Sequence, residues 1–206
     1  MSYVPILHLT VPAIWVSVLL AAAAASLLMR IATGYKPGEW YWNALALYIL
    51  TWKLSYIVFN LQHFLDMPLS ILYFNGGLYG HLLAIALLLV YLVVARQKHA
   101  ALAEQAAHAW LLFFLAYQSI LQLFGGQGMQ AFLQASLLAV AVFSIRLLAK
   151  RKDVPLGLLL ATLSTVELLL LSVFGPLLTW QNATLAVLAA FTIAMNRRSE
   201  QKGSKR

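Results

Sequence analysis

Two formal charges lie deep inside apolar runs of this 206-residue chain, Lys53 within residues 41–60 and Glu167 within residues 154–174. A charge at mid-bilayer costs a few kcal/mol even on lenient insertion scales, so each calls for a partner or a task. Lys53 is 12 residues beyond Tyr41 and Glu167 is 13 beyond Val154, so at ~1.5 Å per residue both sit about 18–20 Å from one surface. The matched depth fits a polar cavity holding a substrate head group or a proton path, and equally an ion pair that only neutralises two buried charges. His81 follows Asn75-Gly76-Gly77-Leu78-Tyr79-Gly80, one turn inside the next apolar run. An imidazole there can act as a general base, because its ordinary pKa is near neutral, or sit as a plain interfacial side chain. Gln118 and Gln122 share a helix face at i, i+4, and Gln127, Gln130 and Gln134 follow across the turn Gly125-Gly126-Gln127-Gly128. These amides suit hydrogen bonds between helices or the lining of a head-group site. There is no HExxH, no carboxylate cluster and no cysteine, so neither a metal site nor a cofactor is expected.

The elements that must carry these residues are membrane spans. The chain is 63% hydrophobic and 10% charged, against about 25% charged in a soluble domain, which excludes an ordinary water-soluble globule. Seven runs are long enough to cross a bilayer, 11–29, 41–60, 78–95, 108–124, 129–147, 154–174 and 177–195. The expected fold is all-α: one integral membrane domain over 1–206, a polytopic bundle of seven transmembrane helices. The first run has no positive segment before it and is expected to stay in the mature protein. Thirteen of the fourteen Lys and Arg residues fall after runs 1, 3, 5 and 7, and none in the N-terminal segment or after runs 2, 4 and 6. Cytoplasmic loops are the basic ones, so the N-terminus is placed outside and the C-terminus in the cytoplasm. The net charge of +8 is thereby a topology signal, and no nucleic-acid partner is expected. Trp15, Trp40, Tyr41, Trp42 and Trp180 lie near span ends, as interfacial anchors do. The segment 61–76 is too short to span, and either lies in the interface or dips into the bilayer under protein cover.

Within this frame the residues Trp52-Lys53-Leu54-Ser55-Tyr56-Ile57-Val58-Phe59, then Asp66-Met67-Pro68-Leu69, then Gly76-Gly77 and His81 form a pattern. It resembles the prolipoprotein diacylglyceryl transferase family, whose members show Gly-Arg-x-Gly-Tyr-x-x-Phe, Asp-Pro-Leu, Gly-Gly and a histidine four residues beyond. Pro12-Ala13-Ile14-Trp15 looks like that family's entry to its first span, and Thr165-Val166-Glu167-Leu168-Leu169 like its Leu-Tyr-Glu segment. The likeness is strongest over residues 50–82. The chain departs from the family at Val16, where a tyrosine is usual, and at Leu82-Leu83, where Gly-Gly is usual. The span-4 arginine and asparagine have no counterpart in Gln118–Gly125, and the family's large extracytoplasmic insert is absent.

The resemblance implies a bacterial plasma-membrane protein of seven spans that moves a diacylglyceryl group from phosphatidylglycerol to the cysteine thiol of a lipoprotein precursor. His81 then corresponds to the catalytic base. Lys53, Glu167, Gln118, Gln122, Asn75, Gly76 and Gly77 are the residues expected to bind substrate. Two other readings stand beside it: a non-catalytic membrane module that binds a lipid or protein partner, and a small carrier for a polar solute or proton, resting on Lys53 and Glu167.

Overall fold

The computed structural model describes residues 3–6, 9–99, 101–148, 156–176 and 179–203. Among these the protein is helical apart from one hairpin. Strands β1 (Tyr3–Ile6) and β2 (Leu9–Pro12) pair antiparallel with Tyr3 opposite Pro12 and Ile6 opposite Leu9. That hairpin was not anticipated in an all-α chain; two short segments on either side of residues 7–8 satisfy each other's backbone groups before the first helix begins.

Seven long helices occupy the seven apolar runs: α1 (Ala13–Thr33), α2 (Glu39–Phe59), α4 (Gly77–Lys98), α5 (Leu102–Phe124), α6 (Gly128–Leu148), α7 (Leu156–Phe174) and α8 (Trp180–Gly203). Five of them, α1, α4, α5, α6 and α7, are both long and apolar enough to cross a membrane. The other two expected spans are helices of sufficient length whose apolar character falls short. In α2, Asn43, Tyr48, Thr51, Trp52, Lys53, Ser55 and Tyr56 dilute the hydrocarbon surface, and α8 runs on past Asn196 into its basic end. Helix α5 starts six residues before the expected boundary, because Leu102–Ala107 is rich in good helix formers and Glu104 sits in the first turn, where a negative charge favours the helix dipole.

The side chains are distributed as in a membrane protein. Large apolar residues face outward along α1 (Leu19, Leu27), α4 (Leu82, Val90), α6 (Phe132, Phe143) and α7 (Leu158, Leu169, Val173), while Ser17, Ser55, His81, Gln118, Gln134 and Glu167 are buried. Soluble monomers rarely expose such continuous apolar surface, and lipid accounts for it. The protein is built as a multi-pass membrane protein.

The chain divides into two compact units, residues 1–37 with 103–206 and residues 38–102. In the first, Ala107, Leu111 and Leu115 of α5, Ala141 of α6 and Leu160 and Leu163 of α7 form a buried core, with Ile193 of α8 packed on its edge. Helix α1 packs on α6, and α7 on both α6 and α8. In the second, α2 and α4 form the most extensive helix pair of the protein, and the intervening chain folds as a short helix α3 (Leu61–Asp66) and a 3-10 turn (Pro68–Leu72). Ser70 of that turn is buried and accepts a hydrogen bond from the Tyr56 hydroxyl at 3.0 Å, while Phe74 stacks on the Tyr56 ring. Leu61, Leu65, Met67 and Leu69 remain exposed, so the segment 61–76 offers an apolar surface beside α2.

Candidate functional site

The glycines before His81 fix how α2 meets α4. Gly76 donates its N–H to the Trp52 carbonyl at 2.9 Å, and the Trp52 indole N–H donates to the Gly77 carbonyl at 3.2 Å. Asn75 Oδ1 accepts the Gly77 N–H at 2.9 Å, a local turn that leaves Gly77 at φ +58, where a side chain is disfavoured. A Cβ at Gly76 or at Gly80 would collide with Ser55 Oγ. The Gly76-x-x-x-Gly80 stripe is therefore a docking face for Ser55, as small residues commonly are between membrane helices.

With the helices locked there, antiparallel geometry brings the next polar residues together. Tyr48 lies one turn before Trp52, and His81 one turn after Gly77. The Tyr48 hydroxyl stands 2.7 Å from His81 Nδ1, their rings crossing edge to face. Tyr48 also leans on Trp52. His81 is 4% exposed, held at the start of α4 by a phenol that either donates to Nδ1 or accepts from Nδ1–H. In the second tautomer the basic lone pair is on Nε2. Tyr48 was missed in the sequence because it is 33 residues from His81 and carries no motif of its own. The one available cue was its polar tip, in register with Trp52 on the face of α2.

The remaining expected site residues divide between the units. Lys53, half-buried, shares α2 with this dyad but follows Trp52 around the helix, and Asn75, Gly76 and Gly77 belong to the same unit. Gln118, Gln122 and Glu167 belong to the other. There Gln118 is buried and Gln122, one turn on, is partly exposed. Glu167 is fully buried, and its Oε1 accepts the side-chain N–H of Gln134 on α6 at 3.0 Å. Glu167 is thus engaged by an amide from the neighbouring helix of its own unit; Lys53 lies in the other unit. Of the aromatic anchors expected, Trp42 and Trp180 are exposed, but Trp40 and Tyr41 are buried against their surroundings at the start of α2. Among the described residues no group of His, Asp and Glu is placed to hold a metal ion.

No protein-family model, no curated protein and no solved structure matches the chain.

Proposed function

We propose that this protein is a divergent transferase of the diacylglyceryl-transferase type, working on phospholipid at the outer face of a bacterial plasma membrane. Its seven long helices cross the bilayer with the N-terminus outside and the C-terminus in the cytoplasm. The observation that carries the reading is the Tyr48–His81 hydrogen bond, made in the one compact unit that also contains every motif of the strongest stretch of resemblance. Tyr48 holds the imidazole so that Nε2 takes the proton of a lipoprotein cysteine thiol. The thiolate then forms a C–S bond to the glyceryl carbon of phosphatidylglycerol, the C–O bond to phosphate breaks, and glycerol phosphate leaves with the bonding pair. Lys53, on the same compact unit as His81, supplies positive charge for that leaving group.

A second reading is favoured by one observation: Trp52, Ser55, Gly76, Gly77 and Gly80 are all consumed in joining α2 to α4. A protein that keeps these residues for packing needs no chemistry from them, and then acts as a non-catalytic module binding lipid or lipoprotein.

Purified protein supplied with phosphatidylglycerol and a lipobox-cysteine peptide separates the two. Thioether product that disappears in His81→Ala and falls in Tyr48→Phe supports the transferase. No product from folded wild-type protein, with the lipid still retained, supports the module.

A further inference from the structure

Glu167 and Gln134 form a pair whose hydrogen bonds do not close if the carboxyl is ionised. Both side chains are at least nine-tenths buried, Glu167 at 0% and Gln134 at 3% exposure. One bond joins them, from Gln134 Nε2 to Glu167 Oε1 at 3.0 Å. Two buried oxygens are left over, Glu167 Oε2 and Gln134 Oε1, and neither has a hydrogen-bond partner. An ionised carboxylate offers only acceptors, so an ionised Glu167 leaves two buried acceptors, one on each partner, without a donor. A single proton on Oε2 turns it into a donor, and Gln134 Oε1 is the acceptor that its hydrogen-bonded partner has to spare.

Among the described residues no titratable group on the packed helices donates to these oxygens, and the two buried donors without a partner, Ser17 Oγ and Trp110 Nε1, bond to neither. On α7 Glu167 is the only titratable residue, and on α8 none occurs from Trp180 to Asn196. On α6 the one titratable residue is Arg146, 12 residues from Gln134 and about 18 Å along the axis. Helix α5 carries Glu104, His108 and Tyr117, and none of them donates to the orphan oxygens. Ser17, on the helix packed against α6, is fully buried and its hydroxyl bonds to neither.

We propose that Glu167 and Gln134 constitute a proton-binding site within the membrane, in which Glu167 is a neutral acid and its proton closes a two-bond ring between α7 and α6. The site is separate from thiol activation at His81 and stands whether or not that chemistry occurs. Its consequence is a helix pair whose cohesion depends on holding one proton, which alkaline conditions remove.

Infrared spectra of the full chain, labelled with carbon-13 glutamate and reconstituted in phosphatidylglycerol vesicles, test this directly. At neutral pH the wild type minus Glu167→Gln difference is expected to contain an acid C=O stretch, shifted upward in Gln134→Leu as the acid loses its acceptor. A difference holding only carboxylate bands overturns the proposal. Thermal unfolding against pH gives a second readout. The folded chain holds a proton that the unfolded carboxylate has released, so wild-type stability falls as pH rises, whereas that of Glu167→Gln lacks this fall. Parallel melting of the two proteins across the pH range overturns it as well.

Discussion

At the scale of single residues, the decisive contacts are between small groups. Ser55 Oγ occupies the space where a Cβ on Gly76 or Gly80 would go. Overpacking of this kind costs about 1–3 kcal/mol, so Gly80→Ala is expected to lower stability by that order. Combining it with Ser55→Ala removes the clashing oxygen and leaves contacts of 3.3 Å to the residue-55 Cβ and to the Trp52 carbonyl, so the double variant should recover part of the loss in a thermal or denaturant unfolding series. Gly76→Ala should not be rescued in the same way, because its Cβ also meets the Gly80 backbone at 2.9 Å. Tyr48→Phe removes only the hydroxyl facing His81 Nδ1. If Tyr48 orients the base, transfer falls on the order of tenfold or more with Tyr48→Phe while folding is kept, as a kinetic assay with matched thermal melts would show. Gly76 and Gly77 could be noticed in the sequence, but their reason, a serine 21 residues upstream of Gly76, could not.

At the scale of elements, connections decide how the helices start and meet. Helix α8 is opened by Thr179, whose hydroxyl accepts the Asn182 N–H at 3.2 Å, while the Asn182 side chain donates to the Pro176 carbonyl at 3.3 Å. Thr179→Ala is expected to cost ~1 kcal/mol, the usual value of a lost N-cap, read from unfolding of the purified protein. The segment 61–76 is tied to α2 by Tyr56, with Leu61, Leu65, Met67 and Leu69 turned away from the protein. Of its two expected placements, this surface favours the interface. A nitroxide placed at Leu65 or Leu69 in vesicles should be quenched by a lipid-soluble relaxant more than by an aqueous one; the reverse result would mean that the segment stands in water.

At the scale of the whole molecule, the charge distribution and the helix count make one prediction about topology. The chain contains no cysteine, so single cysteines can be introduced without background. A cysteine at Gln127, between α5 and α6, should react with an impermeant thiol reagent in intact cells, and one at Lys98, at the end of α4, only after permeabilisation. Reaction at both sites in intact cells would overturn the seven-crossing arrangement. Transfer by Lys53→Met belongs to this scale too, since the proposed reaction assigns its charge to the leaving group, and the other cations of α2 and α4, Arg96 and Lys98, are in the last turn of α4. A loss on the order of 3 kcal/mol in transition-state stabilisation is expected for it in the kinetic assay.

Hydrophobic runs and basic loops are local properties, and the runs located the seven long helices, with ends that differ by up to eight residues at α8, together with the membrane character of the protein. The histidine behind a Gly-Gly turn was legible for the same reason, being a short-range pattern. What the sequence left open was pairing. It marked Lys53 and Glu167 as buried charges at equal depth, but which groups meet across helices depends on rotation about each axis, and burial side by side is set by packing. The tertiary structure answered with Gln134 for Glu167 and Tyr48 for His81, because the close approach of α6 to α7 and of α2 to α4 brings together side chains 33 residues apart in both cases. It also divided into two compact units a chain whose composition is nearly uniform, since the glycine-to-serine contact and the Trp52 and Tyr48 hydrogen bonds that bind α2 closely to α4 are invisible to hydropathy.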